Sequence, residues 1–131
     1  MATTYLDGTR EQFKAFMDLP EEGPFHMLNL LKFKETVDES GKTGREQYNE
    51  YMRAAAPFLQ KAQADVLYYG EAQMNLVGPA EEKDWDKVLI VSYANKEAFA
   101  NMVTHPDYPT ALRNAALADS RLLVMTAGRK G

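Results

Sequence analysis

Two short segments of the chain carry apolar side chains at both odd and even positions. They are Phe25–Phe33 (FHMLNLLKF) and Lys87–Tyr93 (KVLIVSY). Short runs rich in aliphatic and β-branched residues are typical of strands that are covered on both faces. Two further strands are predicted, one over residues 65–77 and one over residues 120–127. Gly70 in the first of these indicates a bulge or a point of close approach.

Apolar residues at helical spacing predict helices between these strands. Thr9 and Thr43 each begin a capping box, because Gln12 and Glu46 follow three residues later. The first helix carries an apolar face and leads into the first strand. The helix after Thr43 contains Pro57, which predicts either a bend or two helical pieces, since a mid-helix proline removes a hydrogen bond.

The second half of the chain predicts two more helical pieces. Asn95 is a good N-cap for the first of them. Pro106 and Asp107 suit the first turn of the other, since proline and acidic residues are favoured there. The element order after the leading helix is therefore β-α-β-β-α-β, with the second crossover in two pieces.

This order predicts an α+β, ferredoxin-like fold, in which a four-stranded antiparallel sheet has its helices on one face. We expect a single domain over residues 1–131, with an N-terminal helical extension (1–24) and the core at 25–127. Helices on one face cannot cover strands that are apolar on both, and an exposed apolar sheet face favours association. A homodimer is therefore predicted, unless the N-terminal helix covers the second face instead.

Composition narrows the class of partner. The chain has 45% hydrophobic and 26% charged residues, which is typical of a folded protein. Its net charge is −4, and its 15 Lys and Arg are scattered among 19 acidic residues, so no nucleic-acid partner is expected. There is no basic region followed by an apolar run at the start and no apolar stretch near the ~20 residues of a membrane span. We therefore expect a cytoplasmic protein without a membrane partner.

The absence of cysteine from the sequence excludes disulfides, thiolate nucleophiles and cysteine metal sites. The two histidines, His26 and His105, are far apart, and neither has the spacing of a metal motif. No glycine-rich phosphate loop and no nucleophile-elbow motif is found. We expect no metal and no cofactor.

Two residues are candidates for a catalytic role. His105 is either a general base that titrates near neutral pH or a turn residue at a helix start. Arg113 either clamps a ligand carboxylate, which matches its planar guanidinium, or pairs with Asp107 or Asp119 and fixes its helix. The sequence leaves both alternatives open.

Five more residues are candidate ligand-binding groups. Asn29 interrupts an apolar strand face, and a buried amide must find hydrogen-bond partners, either in a pocket or in a neighbouring loop. Large amphipathic side chains are either core residues or pocket walls that present a polar tip. The four of this kind are Tyr48, Tyr51, Trp85 and Tyr108.

Three stretches resemble a known family. They are VLYYGEA, VGPAEEKDWDKVLIVSYANKEAFANM and HPDYPTALRNAALADSRLLV, the last with a Tyr followed five residues later by an Arg. They resemble the DUF1330 family of the dimeric α/β-barrel superfamily, over roughly residues 25–127. The sequence departs from that pattern in its added N-terminal helix and in a longer loop at 34–44.

The resemblance implies a dimeric barrel with a cleft between sheet and helices, and does not imply a reaction, because such barrels carry many chemistries. Relatives in the superfamily include cofactor-free monooxygenases, isomerases and haem proteins. We expect a protein that binds a small apolar or aromatic molecule in the cleft, and whether it is an enzyme stays open. The alternative is a non-catalytic dimer without a ligand, in which the same side chains only cap and pair.

Overall fold

The computed structural model describes residues 3–82 and 84–127. Its strands are β1 (Phe25–Phe33), β2 (Asp65–Glu71), β3 (Lys87–Tyr93) and β4 (Leu117–Met125). Its helices are α1 (Arg10–Met17), α2 (Gly44–Lys61), α3 (Lys96–Val103) and α4 (Thr110–Ala116). The strands form one sheet in the order β2-β3-β1-β4, and every neighbouring pair is antiparallel. The predicted ferredoxin-like α+β fold is confirmed.

The helix starts follow the predicted capping chemistry. The Thr9 hydroxyl accepts a hydrogen bond from the Gln12 N–H, and Thr43 accepts one from the Glu46 N–H. The Asn95 side chain caps α3 in the same way. Pro57 lies inside α2 without dividing it, so the alternative of two helical pieces is wrong. A proline costs one hydrogen bond, whereas α2 is held by its buried face along several turns.

Three predicted boundaries are wrong, and each was set by pairing along the sheet. β2 ends at Glu71 instead of residue 77, because Glu71 pairs with Lys87, the first residue of β3. β4 begins at Leu117, directly after α4, because Leu117 pairs with Phe33. β4 ends at Met125, which pairs with His26, instead of at residue 127.

The helix predicted from Pro106 and Asp107 begins later, at Thr110. The Asp107 N–H donates to Nδ1 of His105 at 3.0 Å, and the Tyr108 N–H donates to the His105 carbonyl at 3.0 Å. These two hydrogen bonds close a turn before α4. Pro106 and Asp107 therefore belong to that turn and not to the helix.

The prediction for Gly70 was half right. The register shift in β2 lies between Val66 and Tyr68, so Gly70 is not the bulge. It is a point of close approach, because the Tyr68 ring lies across it and a Cβ there would meet the Tyr68 hydroxyl at 2.4 Å. A larger residue at this position would require the Tyr68 ring to move away.

Alternation along the strands gives the sheet two different faces. One, here called the covered face, packs beneath the helices and includes Phe25, Met27, Leu31, Leu89 and Val91, all of them buried. The other, here called the open face, has no helix over it in the described chain. Its apolar side chains come from all four strands: Leu28, Leu30, Tyr68, Val88, Ile90 and Leu123.

Helix α1 lies on the covered face. The Phe16 ring is 5.6 Å from the Phe25 ring and 5.7 Å from the Phe99 ring, in edge-to-face contacts. The N-terminal helix therefore does not cover the open face. In the described ranges no helix is both long and apolar enough to cross a bilayer.

Candidate functional site: a tyrosine-lined cavity

A cavity of about 630 Å³ lies between the covered face and the helices. Side chains from β1, β3, β4 and all four helices line it, together with the segment before α1. Its walls are mainly apolar: Phe16, Met27, Met52, Leu59, Leu89, Val91, Phe99, Met102 and Val103. Small-molecule sites have this range of volume and this apolar character.

Besides Tyr5 in the segment before α1, four tyrosines line the cavity. Tyr48 and Tyr51 come from one face of α2, Tyr93 from the end of β3, and Tyr108 from the turn before α4. The Tyr48 and Tyr51 rings are 5.2 Å apart, and the Tyr51 and Tyr108 rings are 6.1 Å apart. The hydroxyls of Tyr51 and Tyr108 are hydrogen-bonded to each other. The capped start of α2 fixes the helical phase that points its two tyrosines inwards.

The tyrosine hydroxyls are neutral at physiological pH. Burial raises the pKa of Tyr48, Tyr51, Tyr93 and Tyr108, because the low-dielectric interior disfavours a phenolate. A neutral phenol donates a hydrogen bond, and a phenol with a raised pKa is a poor source of a base. The cavity is therefore rich in hydrogen-bond donors.

Arg113 of α4 also lines the cavity. One of its guanidinium nitrogens donates to the Leu6 carbonyl at 2.9 Å and to the Asn114 side-chain oxygen at 3.0 Å. It makes no salt bridge to a carboxylate in the described part of the chain. Asp119 instead pairs with Arg121 at 2.8 Å, and the alternative in which Arg113 pairs with Asp107 or Asp119 is not observed.

Asn29 of β1 lines the cavity from the sheet side. Its Nδ2 donates to the Met27 carbonyl at 3.3 Å, a long hydrogen bond within the same strand. The side-chain oxygen has no hydrogen bond to a described residue. The Asn29 side-chain oxygen therefore adds a hydrogen-bond acceptor to the cavity wall.

The segment before α1 forms one wall of the cavity. Residues 3–8, here called the strap, include Tyr5, Leu6, Asp7 and Gly8 among the lining residues. The Tyr5 N–H donates to Asp119 at 2.8 Å, the Ser120 hydroxyl donates to the Tyr5 carbonyl at 2.6 Å, and the Asn114 amide donates to Asp7 at 3.0 Å. The N-terminal extension thus covers the cavity.

Two of the sequence-predicted site residues lie away from the cavity lining. His105 is exposed, its Nδ1 accepts the Asp107 N–H, and its ring is 5.3 Å from the Phe58 ring. Trp85 lies near the strap, with the Arg121 guanidinium 5.1 Å from its ring. The structure brings together Arg113, Asn29, Tyr48, Tyr51 and Tyr108, and it leaves His105 and Trp85 outside this group.

Sequence reasoning missed Tyr93, Ser120 and the strap. Tyr93 ends an aliphatic strand, where an aromatic residue is ordinarily a core residue. Ser120 was placed at the start of β4 and lies inside it, facing the cavity and the strap. The strap has no hydrophobic periodicity. The added N-terminal helix was its one available signal.

Known proteins resemble this chain in both sequence and fold. DUF1330, a domain of unknown function, matches residues 39–128. The RPA0582 protein of unknown function from Rhodopseudomonas palustris is 34% identical and has a TM-score of 0.88, over 98% of this chain and 100% of that one. Its methylated form gives 35% identity and a TM-score of 0.89, over 99% of each chain.

A more distant match shares the fold alone. SnoaB, a cofactor-independent oxygenase from Streptomyces nogalater, is 15% identical with a TM-score of 0.54, over 84% of this chain and 97% of that one. No curated protein matches the chain. The extent of the family match, together with the similarity to the RPA0582 protein over nearly the whole length, establishes that the chain belongs to the DUF1330 family.

Proposed function

We propose that the protein binds a small, mainly apolar molecule in the tyrosine-lined cavity. The observation that carries this proposal is the cavity of about 630 Å³, whose apolar walls surround a few convergent polar groups. Apolar walls supply most of the binding free energy, and a small number of polar groups fix the orientation of a ligand. Here those groups are Arg113, Asn29 and the hydroxyls of Tyr48, Tyr51 and Tyr108.

The character of the walls favours an aromatic or alicyclic ligand body. Phe16 and Phe99 line the cavity in edge-to-face contact with each other, and Met27, Leu89 and Val91 line it from the sheet. Flat rings and methionine side chains adapt to each other's shape, and aromatic pairs add about 0.5–1.5 kcal/mol beyond area burial. The buried hydroxyls require a ligand group that accepts hydrogen bonds.

Binding is better supported than catalysis. A cofactor-independent oxygenase or isomerase would need a base at the substrate, and the raised pKa of the four tyrosines makes them donors. The role of His105 as a general base is still a prediction. The position of its ring outside the cavity lining does not favour that role. A His105→Ala variant tests it: unchanged turnover of any compound that the wild type converts would exclude the role.

We also propose that the open face packs against a second copy of the chain. No helix of the described residues lies over its apolar side chains, and α1, the other available cover, packs on the opposite face. The exposed fraction is 56% at Tyr68 and 45% at Leu123. Face-to-face packing of two such sheets would bury both. Such a dimer is compatible with ligand binding in the cavity and with the alternative in which the protein acts only as a structural dimer.

A ligand screen with a cavity-filling variant separates the two functions. A panel of naphthalene, anthracene and cyclohexane derivatives is tested for its effect on the Tm of wild type, Val91→Phe and Val88→Phe. Val91 lines the cavity, and Val88 is on the open face of the same strand. Binding in the cavity predicts Tm increases in wild type and Val88→Phe that Val91→Phe loses. Equal increases in all three proteins, or none in wild type, would contradict the proposed function.

A further inference from the structure

Some charged side chains of the cavity lining form a salt bridge, and others do not. Three of its lining side chains carry a carboxylate or a guanidinium group: Asp7, Arg113 and Arg121. Arg121 is paired with Asp119 at 2.8 Å. Asp7 accepts two hydrogen bonds from the neutral Asn114 amide, each of 3.0 Å. Arg113 therefore lines the cavity with its positive charge balanced by no carboxylate within salt-bridge distance in residues 3–82 and 84–127.

Asn114 occupies the position between the two opposite charges. Its side-chain oxygen accepts from Arg113, and its Nδ2 donates to Asp7. An amide can do both at once, whereas an acidic residue would pair with Arg113 directly. This arrangement leaves the other guanidinium donors of Arg113 without a carboxylate partner, since only one of its nitrogens donates to described residues. A guanidinium has five N–H donors in a planar fork that matches a carboxylate.

The tyrosines add donors to the same region. Tyr51 and Tyr108 share one hydrogen bond, so one of their two hydroxyl hydrogens stays available for a ligand. Arg113 acts electrostatically on them: burial raises the pKa of Tyr51 and Tyr108, and the guanidinium charge opposes that rise. In a low-dielectric cavity, a cation and aligned donors bind an anion far more strongly than in water.

We infer that the cavity takes an organic anion, with a carboxylate or phenolate oxygen at Arg113, Tyr51 and Tyr108 and its aromatic or alicyclic body against the apolar walls. The inference rests on the proposed function and adds the chemical class of the ligand. The anion supplies the negative charge that Arg113 lacks, and its oxygen accepts the hydrogen bonds that the phenols offer. A neutral ligand of the same shape leaves the half-buried guanidinium of Arg113 without an anionic partner, which is less favourable.

The test uses two probes of nearly equal shape, 2-naphthoate and 2-naphthamide. Their dissociation constants are measured by isothermal titration calorimetry at neutral pH, on wild type, Arg113→Gln and Arg121→Gln. We expect wild type to bind naphthoate at least about tenfold more tightly than naphthamide, the usual order for a charge-assisted hydrogen bond. Arg113→Gln removes this preference and keeps naphthamide affinity. Arg121→Gln is the matched control, because that arginine also lines the cavity but is already paired with Asp119.

Each outcome decides a different statement. Equal affinities of wild type for the two probes would overturn the anion inference and leave the proposed function standing. Binding of neither probe would overturn both. If Arg113→Gln unfolds, Arg113→Lys keeps the charge without the planar fork, and we expect it to retain a smaller preference for naphthoate. A preference that persists in full in Arg113→Gln would place the anion elsewhere and overturn the inference.

Discussion

The two faces of the sheet are made from the same strands and are almost equally apolar, yet they differ in how they are covered. On β1, Leu31 is fully buried under the helices, while its neighbour Leu30 points to the open face and is half-buried. The covered face is completed within one chain and encloses a cavity. The open face has no described cover from its own chain. The hydrophobic pattern therefore indicates that a sheet face is buried. It does not indicate whether the residues that bury it belong to the same chain or to another one.

The largest expected effect contrasts neighbouring leucines on β1. Leu31→Ala removes a fully buried side chain, and we expect the free energy of unfolding to fall by about 2–5 kcal/mol, as for other leucine truncations in cores. Leu30→Ala should cost clearly less at protein concentrations where the chain is monomeric, because water reaches that side chain until a second copy covers it. Urea unfolding of both variants measures the difference. Equal losses would mean that the two faces are equally buried in solution.

A charge on the open face tests the second copy directly. Ile90→Glu places a carboxylate where two sheets would meet, and burying an unpaired charge is unfavourable. We expect the dimer dissociation constant to rise at least about a hundredfold, nearly 3 kcal/mol. Sedimentation velocity measures this. Asn101→Glu, on the exposed side of α3, is the control that adds the same charge and leaves the dimer intact.

Alkaline pH should lower the free energy of unfolding through the buried tyrosines of the covered side of the sheet. Burial raises the pKa of the four cavity tyrosines, so the folded state holds these protons after the unfolded chain, with an ordinary pKa of about 10, has released them. Stability is then complete below pH of about 10 and falls as the pH rises further. Urea unfolding across this range measures the slope, and phenolate absorbance follows ionisation. Tyr48→Phe should reduce the slope. The same slope in that variant would argue against a contribution from Tyr48.

The smallest effect concerns the strap, which closes the covered face beside β4. Ser120→Ala removes the hydrogen bond of 2.6 Å from its hydroxyl to the Tyr5 carbonyl. We expect a loss of about 1 kcal/mol, with faster amide exchange at the strap and no change in the core strands. Hydrogen exchange followed by NMR measures this. Unchanged exchange at Tyr5 would show that the strap does not depend on this contact.

Local signals predicted the elements, and pairing decided their ends. β1 and β3 have the predicted bounds because each is a self-contained apolar run between turn residues. β2 continues the apolar pattern beyond Glu71, but β3 offers no partner there, and the apolar residues that follow are exposed, Leu76 by 90%. A single sequence contains no information about where a partner strand stops.

The candidate site was predictable where residues lie on regular elements. Tyr48 and Tyr51 follow from the phase of α2, and Asn29 from the alternation of β1. His105 could not be placed, because its position depends on the turn that it closes itself. The strap could not be predicted either, since its contacts with Asp119 and Ser120 join residues more than a hundred positions apart.

Trp85 gives the strap a natural optical reporter. It is the only tryptophan in the sequence, and the Arg121 guanidinium lies 5.1 Å from its ring. The same guanidinium is 4.8 Å from the ring of Tyr5 in the strap. We expect displacement of the strap to move the Arg121 guanidinium and thereby to change the fluorescence of Trp85. Stopped-flow fluorescence can therefore follow movement at this wall of the cavity in the unlabelled protein.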